Sequence, residues 1–402
     1  MRSSRPIPTI FSLAVSWLIV TTALTSCMKT SGDMAKDPAQ SEAIQAQPGA
    51  LSFVVIGDTP YSKADRKMLE LAVPKIKADA APFVIHIGDF KGGGQECTAA
   101  HDDSFAALIE ALKPVPVFYT PGDNEWVDCD RFKRKDSGEY YSEYERLEAL
   151  SQRFFAGAPS GAEALSYTRQ ESGLNAAWET ENIRFATLHW TGTANGRKWI
   201  AGDDPAIAKP KIEARETANM VWLKTQFEQA KTSENAALIL AIHADVSDVD
   251  KEDIGKACTM VSANGDLPCD AFAGLRAALS AHARDFAGPV LVVHGDTSPF
   301  TLNQDFLTEG APNLWRLNAA GDAGIGRTGQ KYGTVDVTRV TVMPDSAVPF
   351  AASGLVTGKV AKTTPLIPRK RGMSGCFESI PPHKNWPATN HSGGSSSRFL
   401  TG

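Results

Sequence analysis

Along the middle of the chain, short apolar runs end one after another in polar turns built on Gly-Asp or His-Ala-Asp. Leu51–Ile56 leads into Gly57-Asp58-Thr59-Pro60, and residues 83–87 lead into Gly88-Asp89-Phe90-Lys91-Gly92. Residues 116–120 lead into Pro121-Gly122-Asp123-Asn124-Glu125-Trp126, residues 237–242 into His243-Ala244-Asp245, and residues 290–293 into His294-Gly295-Asp296-Thr297. Runs of four to eight residues rich in Val and Ile, bounded by such turns, read as buried strands. Helical patterns separate several of them. Residues 63–79 set Met68, Leu69, Leu71, Ala72 and Ile76 on one face, and residues 99–112 and 213–231 read similarly. Residues 176–179 and 183–189 flank Thr180-Glu181-Asn182 as a hairpin, and residues 332–343 alternate in part through Val335, Val337, Val340 and Val342. Strands alternating with helices predict an α/β fold, and the extra β segments predict a second sheet packed on the first. Ligands in such folds collect beyond the carboxyl ends of the strands, where these turns converge.

A carboxylate at the end of a buried strand is costly unless it is paired or bound to a cation. Asp58, Asp89, Asp123 and Asp296 all stand there, joined by His243 and His294. Any single Gly-Asp is an ordinary turn pair, but five strand-end turns in succession point to one site. One or two divalent metals resolve the repulsion among the acids. Oxygen donors with one or two imidazoles suit Mn, Fe, Mg or Ca better than zinc. A two-metal site lowers the pKa of bound water and clamps the oxygens of a phosphoryl group during in-line attack.

The ends of the chain read differently. Arg2 and Arg5 precede an uncharged apolar run over residues 10–20, which ends at Leu24-Thr25-Ser26-Cys27. A positive start and a short apolar core predict a secretory signal over residues 1–26. The closing four residues resemble the bacterial lipobox, which makes Cys27 the lipidation site. Met28 in place of Asp favours the outer membrane, with the protein on its periplasmic face. Residues 27–50 have the composition of a flexible tether. Residues 346–402 are expected to form a C-terminal extension, largely disordered from about 374. With 46 acidic against 41 basic residues, no nucleic-acid partner is expected. Oligomeric state leaves no signature.

The order of the motifs resembles the calcineurin-like metallophosphoesterase superfamily over roughly residues 51–345, and the string from Thr120 to Cys129 resembles a divergent bacterial branch with Thr-Pro-Gly-Asp-Asn-Glu-Trp-x-Asp-Cys. The resemblance implies two packed β-sheets flanked by helices, a four-layer sandwich with two metals between the strand ends. It matches Asp58 to the first acid, Asp89 to the bridging carboxylate and His243 to the lone histidine. It also exposes departures. Pro60 replaces the histidine of the first motif, Asp123 an asparagine, and Asn124 the histidine that assists the leaving group. Asp296 and Ser298 replace both histidines of the closing motif. One metal position thus keeps Asp89, Asp123, His243 and Asp296. The other keeps Asp58 and Asp89, with His189 or His294 as substitutes.

Lys91 and Arg131 are expected to hold a phosphate. The resemblance adds His189 and Asn195 as substrate-binding candidates. In an exported protein, Cys97 and Cys129 follow neighbouring strand-end turns and are expected to bridge, as are Cys258 and Cys269; Cys376 is left over. The expected function is metal-dependent hydrolysis of a phosphomonoester or phosphodiester, from a small molecule or the cell envelope. Asp58 and Asn124 would orient water or phosphate oxygens. The alternative is a non-catalytic calcineurin-like domain that binds a phosphorylated ligand or an envelope partner.

Overall fold

The computed structural model describes residues 50–363 except 172, 308–309 and 326–328. The signal segment, Cys27, the tether up to residue 49, Cys376 and the tail from residue 374 lie outside the described residues.

The elements run in the expected alternating order. Strand β1 (Leu51–Ile56), helix α1 (Lys63–Ala78), β2 (Val84–His86), α2 (Ala99–Leu112) and β3 (Val117–Tyr119) form the first half. After α3 (Glu143–Phe154) come β4 (Thr168–Arg169), β5 (Ala176–Thr180), β6 (Ile183–Thr187) and α4 (Pro205–Thr232). Then follow β7 (Ala237–Ala241), α5 (Ala273–Arg284), β8 (Val290–His294), β9 (Thr301–Asn303) and β10 (Leu314–Asn318). A small pair, β11 (Gly321–Ile325) and β12 (Lys331–Thr334), precedes β13 (Thr338–Val342), β14 (Phe350–Gly354) and β15 (Lys362–Thr363).

Two sheets result, in the orders β14-β13-β1-β2-β3 and β15-β9-β10-β8-β7-β6-β5-β4. Strands β1, β2 and β3 are mutually parallel, as are β6, β7, β8 and β10. Their near-continuous apolar sequence follows from burial on both faces. In β1, Phe53 and Val55 face the other sheet and pack with Phe83, Phe185, Ile239 and Leu291. Val54 and Ile56 face the opposite way, against Leu69, Ala72 and Ile76 of α1. Helices α4 and α5 cover the outer face of the second sheet through Leu223, Phe227, Leu275 and Leu279. The molecule is therefore a four-layer α/β sandwich with its main core between the sheets. Helix α1 starts in a capping box, in which Asp65 N–H donates to the Ser62 hydroxyl and Ser62 N–H donates back to Asp65.

Three expectations shift. Leu71, placed on the buried face of α1, is exposed. The β segment at 332–343 divides, because Asp336 Oδ1 accepts from Val337 N–H and ends the pairing of β12 before β13 joins β1. The sheets also run past the expected boundary at 345. Strand β14 pairs antiparallel with β13 and buries Phe350 and Ala352 in the inter-sheet core. Strand β15 adds parallel to β9.

Candidate metal centre

The acids that the sequence singles out stand two to four residues past the ends of β1, β2, β3 and β8, and His243 stands just past β7. The first sheet brings Asp58, Asp89 and Asp123 to the cleft; the second brings His243 and Asp296. Asp58, Asp89 and Asp296 have φ of 51°, 59° and 68°. This left-handed backbone is one that aspartate tolerates better than most side chains, and its concentration here marks a strained site. Gly122 lets the two turns meet: a methyl group on it would overlap Asp89 Oδ1 and the Asp89 amide. A methyl at Gly192 would lie 2.6 Å from both Asp123 Oδ2 and Asp296 Oδ1.

Fully buried His243 is the hub. Its Nδ1–H donates to the Ile87 carbonyl at 2.8 Å, which turns Nε2 toward the acids. Nε2 lies 3.3 Å from Asp123 Oδ1, 3.4 Å from Asp89 Oδ1 and 3.8 Å from Asp296 Oδ1. Among the described residues, two groups have the proximity needed to hold a cation, Asp58–Asp89–His243 and Asp123–His243–Asp296. An imidazole with one nitrogen bonded to a backbone carbonyl and the other aimed at carboxylates has the arrangement of a metal-ligating histidine. The donor set therefore fits a cation of the oxygen-preferring class.

The electrostatics agree. Burial, opposed by His243 and reinforced by Asp123, pushes Asp58 up to about 6. Burial and neighbouring acids also raise Asp89 well above the carboxylate range. Burial acts on Asp123 as well, but its hydrogen bond and attraction to His243, with the Thr193 hydroxyl, bring it down to about 2. The surrounding carboxylates outweigh burial at His243 and raise it well above an ordinary imidazole. Without a cation, this cluster holds protons in its place.

A tight frame supports the first-sheet acids. Glu125 accepts from Asp89 N–H at 2.9 Å, Gly122 N–H at 2.8 Å and the Tyr119 hydroxyl at 2.8 Å. Asn124 N–H donates to Asp89 Oδ1 at 3.0 Å, and Asn124 Nδ2 donates to Asp89 Oδ2 and to Tyr61 Oη. Both expected disulfides are formed, with Cα–Cα distances of 5.5 Å for Cys97–Cys129 and 5.0 Å for Cys258–Cys269.

Several expected positions turn out otherwise. His294 belongs to neither donor group: its Nδ1 bonds the Gly295 carbonyl, and its surroundings are Asp245 and Arg316. His189 is likewise absent from both groups, buried and 5.4 Å from the Trp126 ring centroid. Lys91 is buried, with Nζ donating to the carbonyls of Gly92 and Gln95, so it holds its own turn together. Asn195 braces the chain elsewhere, donating to Glu216 and accepting from Arg215 and Thr191 N–H. Lys91 and Asn195 are turned toward hydrogen-bond partners of their own, whereas among the described residues the buried Nε2 atoms of His189 and His294 find none. Arg131 does reach the mouth of the site. Its Nη1 pairs with Asp128 at 2.6 Å, while its side chain stays 43% exposed.

Sequence reasoning missed Tyr61, whose hydroxyl donates to Asp89 Oδ2 at 2.7 Å, and Thr193, whose hydroxyl donates to Asp123 Oδ2 at 2.5 Å. It also missed Asp128, raised to about 8 chiefly by burial and Asp123, and Asp322, raised to about 7 by burial and Asp58. A hydroxyl three residues beyond Asp58, in the same turn, was the available signal for Tyr61. Thr193 reaches Asp123 through a run of three left-handed residues, Thr193 to Asn195, that nothing in their types announces.

Residues 51–236 match the family model described as calcineurin-like phosphoesterase. No curated protein matches the sequence. Among solved structures, the chain is similar to GAP50, the anchor in the inner membrane complex of Plasmodium, at 12% identity over 77% of this chain and 86% of that one, with a TM-score of 0.42. It is similar to a dimetal phosphatase from Danio rerio at 12% identity over 75% and 98% of the two chains, TM-score 0.40. A phosphatase from Mycoplasma pneumoniae gives 12% identity over 78% and 91%, TM-score 0.31. The similarity to the calcineurin-like phosphoesterase family thus rests on residues 51–236, which carry Asp58, Asp89 and Asp123.

Proposed function

We propose that this protein is a metal-dependent hydrolase of phosphomonoesters or phosphodiesters, carried to the cell envelope as a lipoprotein. The observation that carries the reading is His243, which directs Nε2 at three carboxylates while a backbone carbonyl fixes its other nitrogen. Asp89, Asp123, His243 and Asp296 would hold one divalent ion, and Asp58 with Asp89 would contribute to a second position. A metal bound there supplies Lewis-acid stabilisation of phosphoryl charge and a more acidic bound water.

The chain's own residues supply positioning. Thr193 orients Asp123, and Glu125 fixes the Asp89 backbone. The exposed part of the Arg131 guanidinium offers N–H donors to phosphate oxygens. Asn124 offers an amide and no acidic proton, so substrates with good leaving groups are favoured over those that need protonation. The expected substrate is a small phosphoester or a phosphate ester of the envelope. Arg2, Arg5, the apolar run at 10–20 and Cys27 support export and an anchor on the periplasmic face of the outer membrane.

One observation favours a second reading. Asn124 stands where the resemblance calls for an acid, which suits a domain that binds a phosphorylated ligand without cleaving it. Purified mature protein, loaded with Mn(II) or Fe(II) and offered aryl phosphomonoesters and diesters, separates the two. Turnover that is lost on chelation and restored by metal supports the hydrolase. Tight phosphate binding without turnover supports the binding domain.

A further inference from the structure

We propose that the cavity between α3 and α4 is a second ligand site, separate from the metal centre, and that it takes a small organic anion: an apolar body with a carboxylate or phosphate head. The inference stands apart from the metal-dependent reading above.

Helical spacing opens the cavity. Residues three and four apart share a helix face, so α3 lines it with Tyr144, Leu147 and Ser151, and α4 with Lys211, Ala214, Arg215 and Ala218. Ser151, Ala214 and Ala218 are too small to close the gap. The space that remains is about 520 Å³, the size of a small-molecule pocket. His189 also lines it, and none of the proposed metal ligands does.

The charge around this space is one-sided. Lys211 Nζ rests 4.2 Å from the centroid of the Tyr144 ring, whose hydroxyl is tied to the Ala208 carbonyl at 3.1 Å. Arg215 lies over Trp126 at 5.0 Å from the ring centroid, and its Nη2 donates to the Asn195 carbonyl at 2.6 Å and to Asn195 Oδ1 at 3.0 Å. Among the described residues neither cation has a carboxylate partner, and Arg215 Nε has no acceptor. The nearby acids are engaged elsewhere. Glu148 accepts from Gln152 Nε2 at 2.8 Å, and Glu216 pairs with Arg197 at 2.6 Å. Burial and Asp130 push the Glu143 carboxyl well above the usual range, so it leaves Arg215 uncompensated.

A second observation points to a ligand. His189 is 3% exposed, and its Nε2 has no partner among the described residues. Burial, with Arg215 beside it, holds this imidazole well below its ordinary value, so it is neutral and offers a donor and an acceptor. A buried polar atom left without a partner by its own chain calls for one from outside. Lys211 and Arg215 would meet the anionic head, and Tyr144, Leu147 and Leu174 the apolar body.

Calorimetric titration of the full-length protein with phenylphosphonate and with benzoate tests this, before and after chelator treatment. Phenylphosphonate has no ester bond to cleave. The stripped metal centre presents clustered carboxylates, so anion binding that survives chelation reports the cavity. Wild type is expected to bind at least one probe with or without chelation, and the tighter probe identifies the head. Lys211→Glu, at an exposed position, is expected to weaken binding at least ~10-fold, the scale of one lost charge-assisted contact. Ala214→Trp fills the cavity from an exposed helix position and is expected to abolish binding. Wild type that binds neither probe, binding that vanishes on chelation, or binding that survives both substitutions overturns the site. The first and third outcomes leave the metal-dependent reading intact, and the second places the anion at the metal centre.

Discussion

The two rims of the cleft are built in different ways. On the first-sheet rim, one contiguous string does most of the work: Gly122 makes room for Asp89, Asn124 and Glu125 bind its carboxylate and backbone, and Cys129 ties the string to Cys97. The second-sheet rim assembles from distant segments. The Trp190 carbonyl accepts from His243 N–H at 3.1 Å, the His243 carbonyl accepts from Gly295 N–H at 3.0 Å, and Asp296 N–H donates across the cleft to Asp58 Oδ1 at 2.9 Å. Its other acid, Asp245, is diverted to Arg316 at 2.6 Å and to the Thr297 hydroxyl at 2.7 Å. The first rim keeps its carboxylates by a local frame. The second gives the centre one imidazole and one carboxylate, and commits the rest to its own ion pair. The centre is accordingly rich in oxygen and poor in nitrogen.

The sharpest break comes from the group that both rims use. His243→Ala and Asp89→Ala should each weaken metal binding by about 100-fold or more, beyond the losses typical of supporting residues, and reduce phosphoester hydrolysis to background. Elemental analysis beside a turnover assay checks both. Asp296→Ala, which serves only one of the two proposed metal positions where Asp89 serves both, should leave metal at reduced stoichiometry.

Removing the two staples tests the rims separately. The Cys97–Cys129 bridge spans 32 residues, and replacing both cysteines by Ser should cost roughly 3–4 kcal/mol of stability on the loop-entropy scale. The Cys258–Cys269 bridge spans 11 residues and should cost slightly less, roughly 2–3 kcal/mol. Denaturant unfolding gives both numbers. Only the first pair of substitutions should also lower metal affinity, because only that bridge holds the loops of Asp89 and Asp123.

A smaller perturbation is Gly122→Ala. Its methyl meets Asp89 backbone as well as side chain, so overpacking should cost about 1–3 kcal/mol and displace Asp89. Gly192→Ala meets only the carboxylate ends of Asp123 and Asp296, which can swing, and should be milder on stability. Equal effects of the two on melting and metal content would remove the distinction between a framed rim and a looser one.

Much of the first rim was legible in the sequence, and little of the second. The turns after β1, β2 and β3 carry Asp58, Asp89 and Asp123 within about seventy residues, each directly after a recognisable apolar run, so local pattern located them. His243 was legible for the same reason. His294 stands outside both donor groups and Lys91 bonds its own turn, because residue type and strand-end position do not say which way a side chain turns. Tyr61 and Thr193 were missed because a lone hydroxyl carries no charge to mark it. Strands β14 and β15 were missed because Phe350–Gly354 and Lys362–Thr363 are short and only weakly apolar, and their place at the sheet edges depends on β13 and β9 being there already.

Protons compete with metal in such a cluster, and the pKa shifts fix the direction. Burial raises Asp58 to about 6, and neighbouring carboxylates raise His243 well above its ordinary value, so both carry protons in the cation-free protein below pH 6. These protons must leave when a cation binds. Affinity should therefore fall as pH falls through 6, by about tenfold per unit for each proton displaced. Isothermal titration in buffers of different ionisation enthalpy counts those protons, and an affinity flat between pH 5 and 7 would contradict the assignment of Asp58 and His243.

The smallest expected effect separates the rims most cleanly. His294 has the residue type of a ligand and the strand-end position of one, yet its Nδ1 bonds the Gly295 carbonyl and burial holds its pKa down to about 4. Its neighbours Asp245 and Arg316 already pair with each other. His294→Asn keeps a polar group of similar reach and should leave metal stoichiometry, and the pH dependence of binding, unchanged. If the substitution instead costs the protein an ion, then the second rim turns His294 into the cleft when metal binds. The centre would then gain a second imidazole, and the contrast between an oxygen-rich centre and its idle histidine would disappear.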